Sequence, residues 1–198
     1  MLRAADQSRV DVLYYLAGEL VEFMNGMPGG WPGGLSFLWW GLIAAIPVVI
    51  VHELGHAAVA ARRLGADVEV TVGNAVKLAE VRLGQIHASV SAISQPGYAA
   101  GRATFDASRA TAHDVFWIAL AGPLASLVGV VATAFLLALA GPTGPVHDLL
   151  WSMTGAGAFA VVLNLLPFKA EETDGTKLWT DGRLALDALR VIQGRLPR

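Results

Sequence analysis

The stretch that decides the architecture is Gly41-Leu42-Ile43-Ala44-Ala45-Ile46-Pro47-Val48-Val49-Ile50-Val51-His52-Glu53-Leu54-Gly55-His56. A long uncharged run leads straight into two histidines and a glutamate. Side chains of that kind at the edge of a lipid-like helix cost several kcal/mol unless they are paired or ligating. On a helix, positions four apart share a face, so both imidazoles can reach one ion. Glu53, beside them, can take a proton from water on that ion. Zinc suits the task, because nitrogen and oxygen ligands hold it tetrahedrally with one open position. It brings the pKa of bound water to about 7.

Working outward, the whole chain shares this character. Of its 198 residues, 55% are hydrophobic and only 15% charged, with a mean hydropathy of +0.54. A soluble domain usually carries nearer ~25% charged residues, so the apolar excess needs lipid to hide in. Three stretches reach the ~20 residues that a bilayer-crossing helix takes: about 35–61, 115–140 and 149–168. Trp39, Trp40, Trp117 and Trp151 lie toward their ends, as an aromatic belt would place them. A core of buried helices is the competing reading, but 198 residues cannot wrap three such helices. The net charge of −2 argues against a nucleic-acid partner. With no cysteine, disulfides, Cys nucleophiles and Cys-ligated zinc all drop out. The N-terminus, with Asp6 and Asp11 where a basic region should be, does not read as a cleaved signal peptide.

Basic residues set the orientation. Arg62, Arg63, Lys77, Arg82, Arg102 and Arg109 lie between the first two spans, and Lys169, Lys177, Arg183, Arg190, Arg195 and Arg198 follow the third. The loop from Gly141 to Asp148 has none. The positive-inside rule therefore puts the 62–114 region and the C-terminus in the cytoplasm.

Between Asp67 and Ile93 the period changes to two, with Val68, Val70 and Val72, then Ile86, Ala88, Val90 and Ala92, alternating with their neighbours. This predicts a small cytoplasmic β-sheet against the membrane. Val10–Asn25 reads as an interfacial helix, with a soluble packing helix as the alternative. The Gly/Pro-rich run Met27–Gly34 reads as a hinge into the first span. Asp181–Gln193 reads as a short amphipathic helix with Asp181 as a candidate N-cap. The expected organisation is an N-terminal segment 1–34, a membrane core 35–180 and a C-terminal amphipathic helix 181–198. In fold class this is a mainly α polytopic membrane protein with a three-transmembrane-helix core.

His52-Glu53-Leu54-Gly55-His56 in such a helix, Gly122-Pro123-Leu124-Ala125-Ser126 in the second span, and Asn164-Leu165-Leu166-Pro167 followed by Asp174-Gly175 together resemble the site-2 protease family of intramembrane metalloproteases. The blocks fall in the family's order over about residues 35–180. The resemblance implies one zinc per chain on His52, His56 and Asp174, with Glu53 as general base. It also implies that Asn164 hydrogen-bonds substrate or steadies the oxyanion. The substrate would be a transmembrane protein cut near the cytoplasmic side, in regulated intramembrane proteolysis at a bacterial plasma membrane. No PDZ or CBS block is present.

Several alternatives stay open. Asp181-Gly182 is a second Asp-Gly pair. Asp174 is preferred because Lys177 and Leu178 follow it, as a basic then an aliphatic residue follow the family's glycine, while Asp181 serves equally as a helix cap. Ser126 stands where the family has Asn, which weakens a polar role there. Gly122-Pro123 reads as close helix packing, and Asn164 alternatively as an interhelical bond. His87, His113 and His147 read as solvated, and Glu171 and Glu172 as loop charges. A membrane metal-binding or transport protein without peptidase activity is the competing function, and the intact Glu53 argues against it. Recovery of the chain from membranes is expected to require detergent; release into a detergent-free supernatant would favour a soluble zinc protein instead.

Overall fold

The computed structural model describes residues 30–73, 75–92, 101–141, 143–171 and 177–196. The Val10–Asn25 helix and Asp174 lie outside these residues. The chain divides into two units, Met1–Leu42 and Ile43–Arg198. Within the described residues the first contributes only the start of one helix, and the second carries everything discussed below.

Helix α1 covers Gly30–Leu64, α2 Ala112–Leu139 and α3 Pro145–Leu165. The described part of the expected Met27–Gly34 hinge is thus helical from Gly30 on. Three helices, Trp39–Leu64, Ala112–Leu139 and Pro145–Leu165, are long and apolar enough to cross a membrane. Their outward faces are apolar: Val128, Val131, Phe135 and Leu139 on α2 and Phe159 and Val162 on α3 are more than half exposed. Water does not favour such a surface.

Local chemistry sets the helix ends. Thr111 caps α2 in a capping box, its hydroxyl accepting from the Asp114 amide while the Asp114 carboxylate accepts from the Thr111 amide. The same carboxylate takes Arg63 from the end of α1 at 3.0 Å, and that guanidinium lies 5.9 Å from the Trp117 ring centroid. The start of α2 is thereby tied to the end of α1. Pro145 opens α3, where its missing N–H costs nothing. Pro167 follows shortly after its end.

Between α1 and α2 lie β1 (Val68–Val72), β2 (Lys77–Leu83), β3 (Ile86–Ser91) and β4 (Gly101–Phe105). The sheet order is β2-β3-β1-β4, with β1 parallel to β3 and the other pairs antiparallel. The fourth strand lies beyond the alternating segment read from the sequence. Val68, Val70 and Val72 are almost fully buried and pack with Ala57 and Ala60 of α1 and Ile118 of α2. Burial of each such valine is worth roughly 1.5–3 kcal/mol. This seam holds the sheet against the end of α1 that bears the histidines. After α3 the chain forms a two-stranded hairpin, β5 (Lys169–Glu171) with β6 (Lys177–Trp179), and then α4 (Asp181–Ile192).

Small residues let the helices meet. A Cβ on Gly55 would lie 2.5 Å from the Ala121 carbonyl oxygen and 2.6 Å from the Ala125 Cβ. Across α2 and α3, the hydroxyls of Thr154 and Thr133 bond at 3.0 Å. Gly55→Val is expected to destabilise the fold by about 1–3 kcal/mol through overpacking, measured as a lower thermal midpoint in detergent. Gly155→Ala, whose added methyl meets nothing within 4 Å, should cause no such fall.

Candidate metal centre

His52 and His56 sit on consecutive turns of α1, both buried. Their Nε2 atoms face each other at 3.1 Å, with the rings edge to face. The Asp181 carboxylate at the start of α4 spans the pair, with Oδ2 3.0 Å from His52 Nε2 and Oδ1 3.4 Å from His56 Nε2. Among the described residues this is the His/Asp/Glu group placed to hold a metal ion.

What lies behind each ring fixes its orientation. His56 Nδ1 donates to the Ile118 carbonyl at 2.6 Å. A carbonyl can only accept, so Nδ1 carries a proton, and in the neutral ring Nε2 presents the lone pair. His52 Nδ1 lies 3.0 Å from the hydroxyl of Ser126, which is only 3% exposed. Gly122 makes room for the second ring, since a Cβ there would lie 2.2 Å from His56 Nε2. The glycine of Gly122-Pro123 therefore serves the imidazole as well as helix packing.

The donor set passes the test for a cation. Two Nε2 lone pairs at this distance repel unless a proton or a positive ion lies between them. A tetrahedral ion with bonds of about 2.0–2.1 Å separates its ligands by about 3.3 Å; here the two Nε2 atoms lie 3.1 Å apart, and each has an Asp181 carboxylate oxygen within 3.4 Å. Two imidazoles and a carboxylate suit zinc and also non-haem iron.

Glu53 follows His52 on α1, within electrostatic reach of both imidazoles and Asp181. Its side chain lies against β4: a Cβ on Gly101 would be 2.6 Å from its Cγ and 2.9 Å from Oε1. The backbone of Ala103 also contacts its carboxylate.

Asn164, in the last turn of α3, donates its amide to the Ala160 carbonyl of the same helix at 2.9 Å. Asp174 lies outside the described residues, in the segment between β5 and β6. Among the described residues, the carboxylate that reaches both imidazoles belongs to Asp181, the residue read from the sequence as a helix cap and alternative ligand. One signal did point to it: Arg183 and Leu184 follow Asp181-Gly182 directly, whereas Lys177 comes after a gap. The bond from Ser126 to His52 crosses between helices and leaves no local signature. His147 pairs with Asp148 at 3.4 Å, and a cavity of about 580 Å³ beside Glu69, Glu80 and His87 shares no residue with the cluster.

Comparison with known families gives a match to Peptidase family M50 over residues 40–147, more than half of the chain. None of the curated proteins compared with the chain matches it. Ser126→Ala is expected to weaken zinc binding by about 10–100-fold, the usual cost of removing a group that orients a ligating histidine. Chelator competition on the detergent-purified chain measures this. Asp181→Ala should lose the metal while Asp174→Ala keeps it, by metal analysis of the same preparations; loss only in Asp174→Ala would restore the other assignment.

Proposed function

Since the chain belongs to peptidase family M50, we propose that it is an intramembrane zinc metalloprotease of the site-2 type, with His52, His56 and Asp181 as ligands. The observation that carries the reading is that both Nε2 atoms, on an apolar helix, lie 3.1 Å apart and each within 3.4 Å of an oxygen of the Asp181 carboxylate. When bound, zinc supplies Lewis-acid polarisation and makes a water-derived nucleophile available at neutral pH.

The chain's own residues do the rest. Glu53 takes the proton from the attacking water and returns it to the leaving amine. Its position beside β4 gives the substrate a place to lie. Helical peptide bonds are shielded, so a transmembrane substrate must unwind to be cut. β4 pairs with β1 on one side and forms one edge of the sheet. An extended segment adding to that edge would pass next to Glu53. The docking edge would then be Gly101–Phe105. Asn164 is retained as the group that bonds substrate or the developing oxyanion, which requires it to exchange its bond to Ala160.

The surrounding bilayer is supported by the three apolar helices and their exposed apolar faces. Arg62 and Arg63 at the end of α1 favour a cytoplasmic setting for that end, with the cut on the cytoplasmic side and the C-terminus in the same compartment. Release of a membrane-anchored regulator in a bacterial plasma membrane is the role that follows.

Glu53→Gln is expected to keep the metal and lower cleavage of a transmembrane substrate by about 10²–10⁴-fold, scored by gel in proteoliposomes. Cleavage at the wild-type rate would overturn this mechanism. A wild-type chain that binds zinc but cuts no membrane substrate would favour the metal-binding or transport reading.

A further inference from the structure

Asp181 stands at the first turn of a helix of 12 residues that begins right after a hairpin. Such a turn tends to fray, because its amides lack intrahelical partners. A carboxylate that must reach two nitrogens at once tolerates only about 0.5 Å of error. Something must hold it.

The two residues flanking it are built for that. Thr180 is the N-cap of α4, with extended backbone at φ −68° and ψ 157°. A threonine there normally accepts a bond from an amide of the first turn. This one makes no side-chain cap bond. Its hydroxyl instead donates to the Leu166 carbonyl at 2.5 Å and accepts from the Phe168 amide at 3.3 Å. Leu166 is the C-cap of α3, so the hydroxyl joins the end of one helix to the start of the next. On the other side of Asp181, a Cβ on Gly182 would lie 2.0 Å from the Leu165 carbonyl oxygen. No side chain fits there, and the α4 backbone comes hard against α3. Residues 180 and 182 thus grip residues 166 and 165 in turn, with the carboxylate between them.

Resting on the metal centre proposed above, we infer that Thr180 and Gly182 are positioning residues for the third ligand, fastening the start of α4 to the end of α3 so that Asp181 spans both imidazoles. The Thr180 hydroxyl forgoes capping its own helix for a bond that fixes where the helix begins. The β5–β6 hairpin then becomes an excursion whose base closes at Thr180, where the Thr180 amide also meets the Phe168 carbonyl at 3.4 Å.

The test uses the full chain in detergent, with zinc affinity from chelator competition and the visible absorption of the cobalt-loaded protein as a report on ligand geometry. Thr180→Val keeps the shape and removes the hydroxyl. It is expected to weaken zinc binding by about 10–100-fold, as loss of an outer-shell support does, and to alter the cobalt bands. Thr180→Ser should restore both. Gly182→Ala should act like Thr180→Val. In turnover the loss should fall on kcat rather than KM. Wild-type affinity and an unchanged cobalt spectrum in Thr180→Val would overturn the inference. So would a Thr180→Ser chain as weak as Thr180→Val, because the hydroxyl would then not be the operative group. If the wild type bound no zinc, or Asp181→Ala bound it as tightly as wild type, the metal centre itself would fall, and this inference with it.

Discussion

Two imidazole nitrogens held 3.1 Å apart among apolar helices, with one carboxylate against both, constrain the whole molecule. Two lone pairs at that distance would repel each other. A positive charge between them removes the conflict, and the Asp181 carboxylate from α4 gives that charge a third partner. The rest of the fold holds this arrangement together. α1 supplies the spacing, α2 the room and the outer bonds, and α3 the platform from which α4 returns.

The contribution of α2 is easily underrated. Along one helix, the Ile118 carbonyl accepts a hydrogen bond from one ring, Gly122 leaves space beneath it, and Ser126 meets the other ring. Successive turns of one neighbour therefore serve both imidazoles. Their register is fixed at the helix ends by the Arg63–Asp114 pair. It is fixed nearer the centre by Gly55, which lets the backbones approach. A shift of one helix against the other would disturb every one of these contacts together.

How much of this could be read from residues alone depends on the range of the interaction. The pairing of His52 with His56 follows from helical periodicity, and the apolar helices follow from composition. The valines of β1 showed in their alternation. Between Asp174 and Asp181 local sequence pulls both ways, because both precede glycine and both have a basic then an aliphatic residue close behind. What favours Asp181 is the return of the hairpin to Leu166 and Phe168, a long-range contact. Ser126 was discounted because it departs from the usual asparagine, yet a hydroxyl at that depth reaches the ring. β4 escaped notice because a strand of five residues carries little pattern, and its partner β1 lies far back in the chain.

The Asp181–His52 contact spans 129 positions of sequence. A ribosome makes the two histidines long before the aspartate emerges. Until then the imidazoles lack the anionic partner that spans them. The cluster therefore closes late, when the chain returns from α3 into α4.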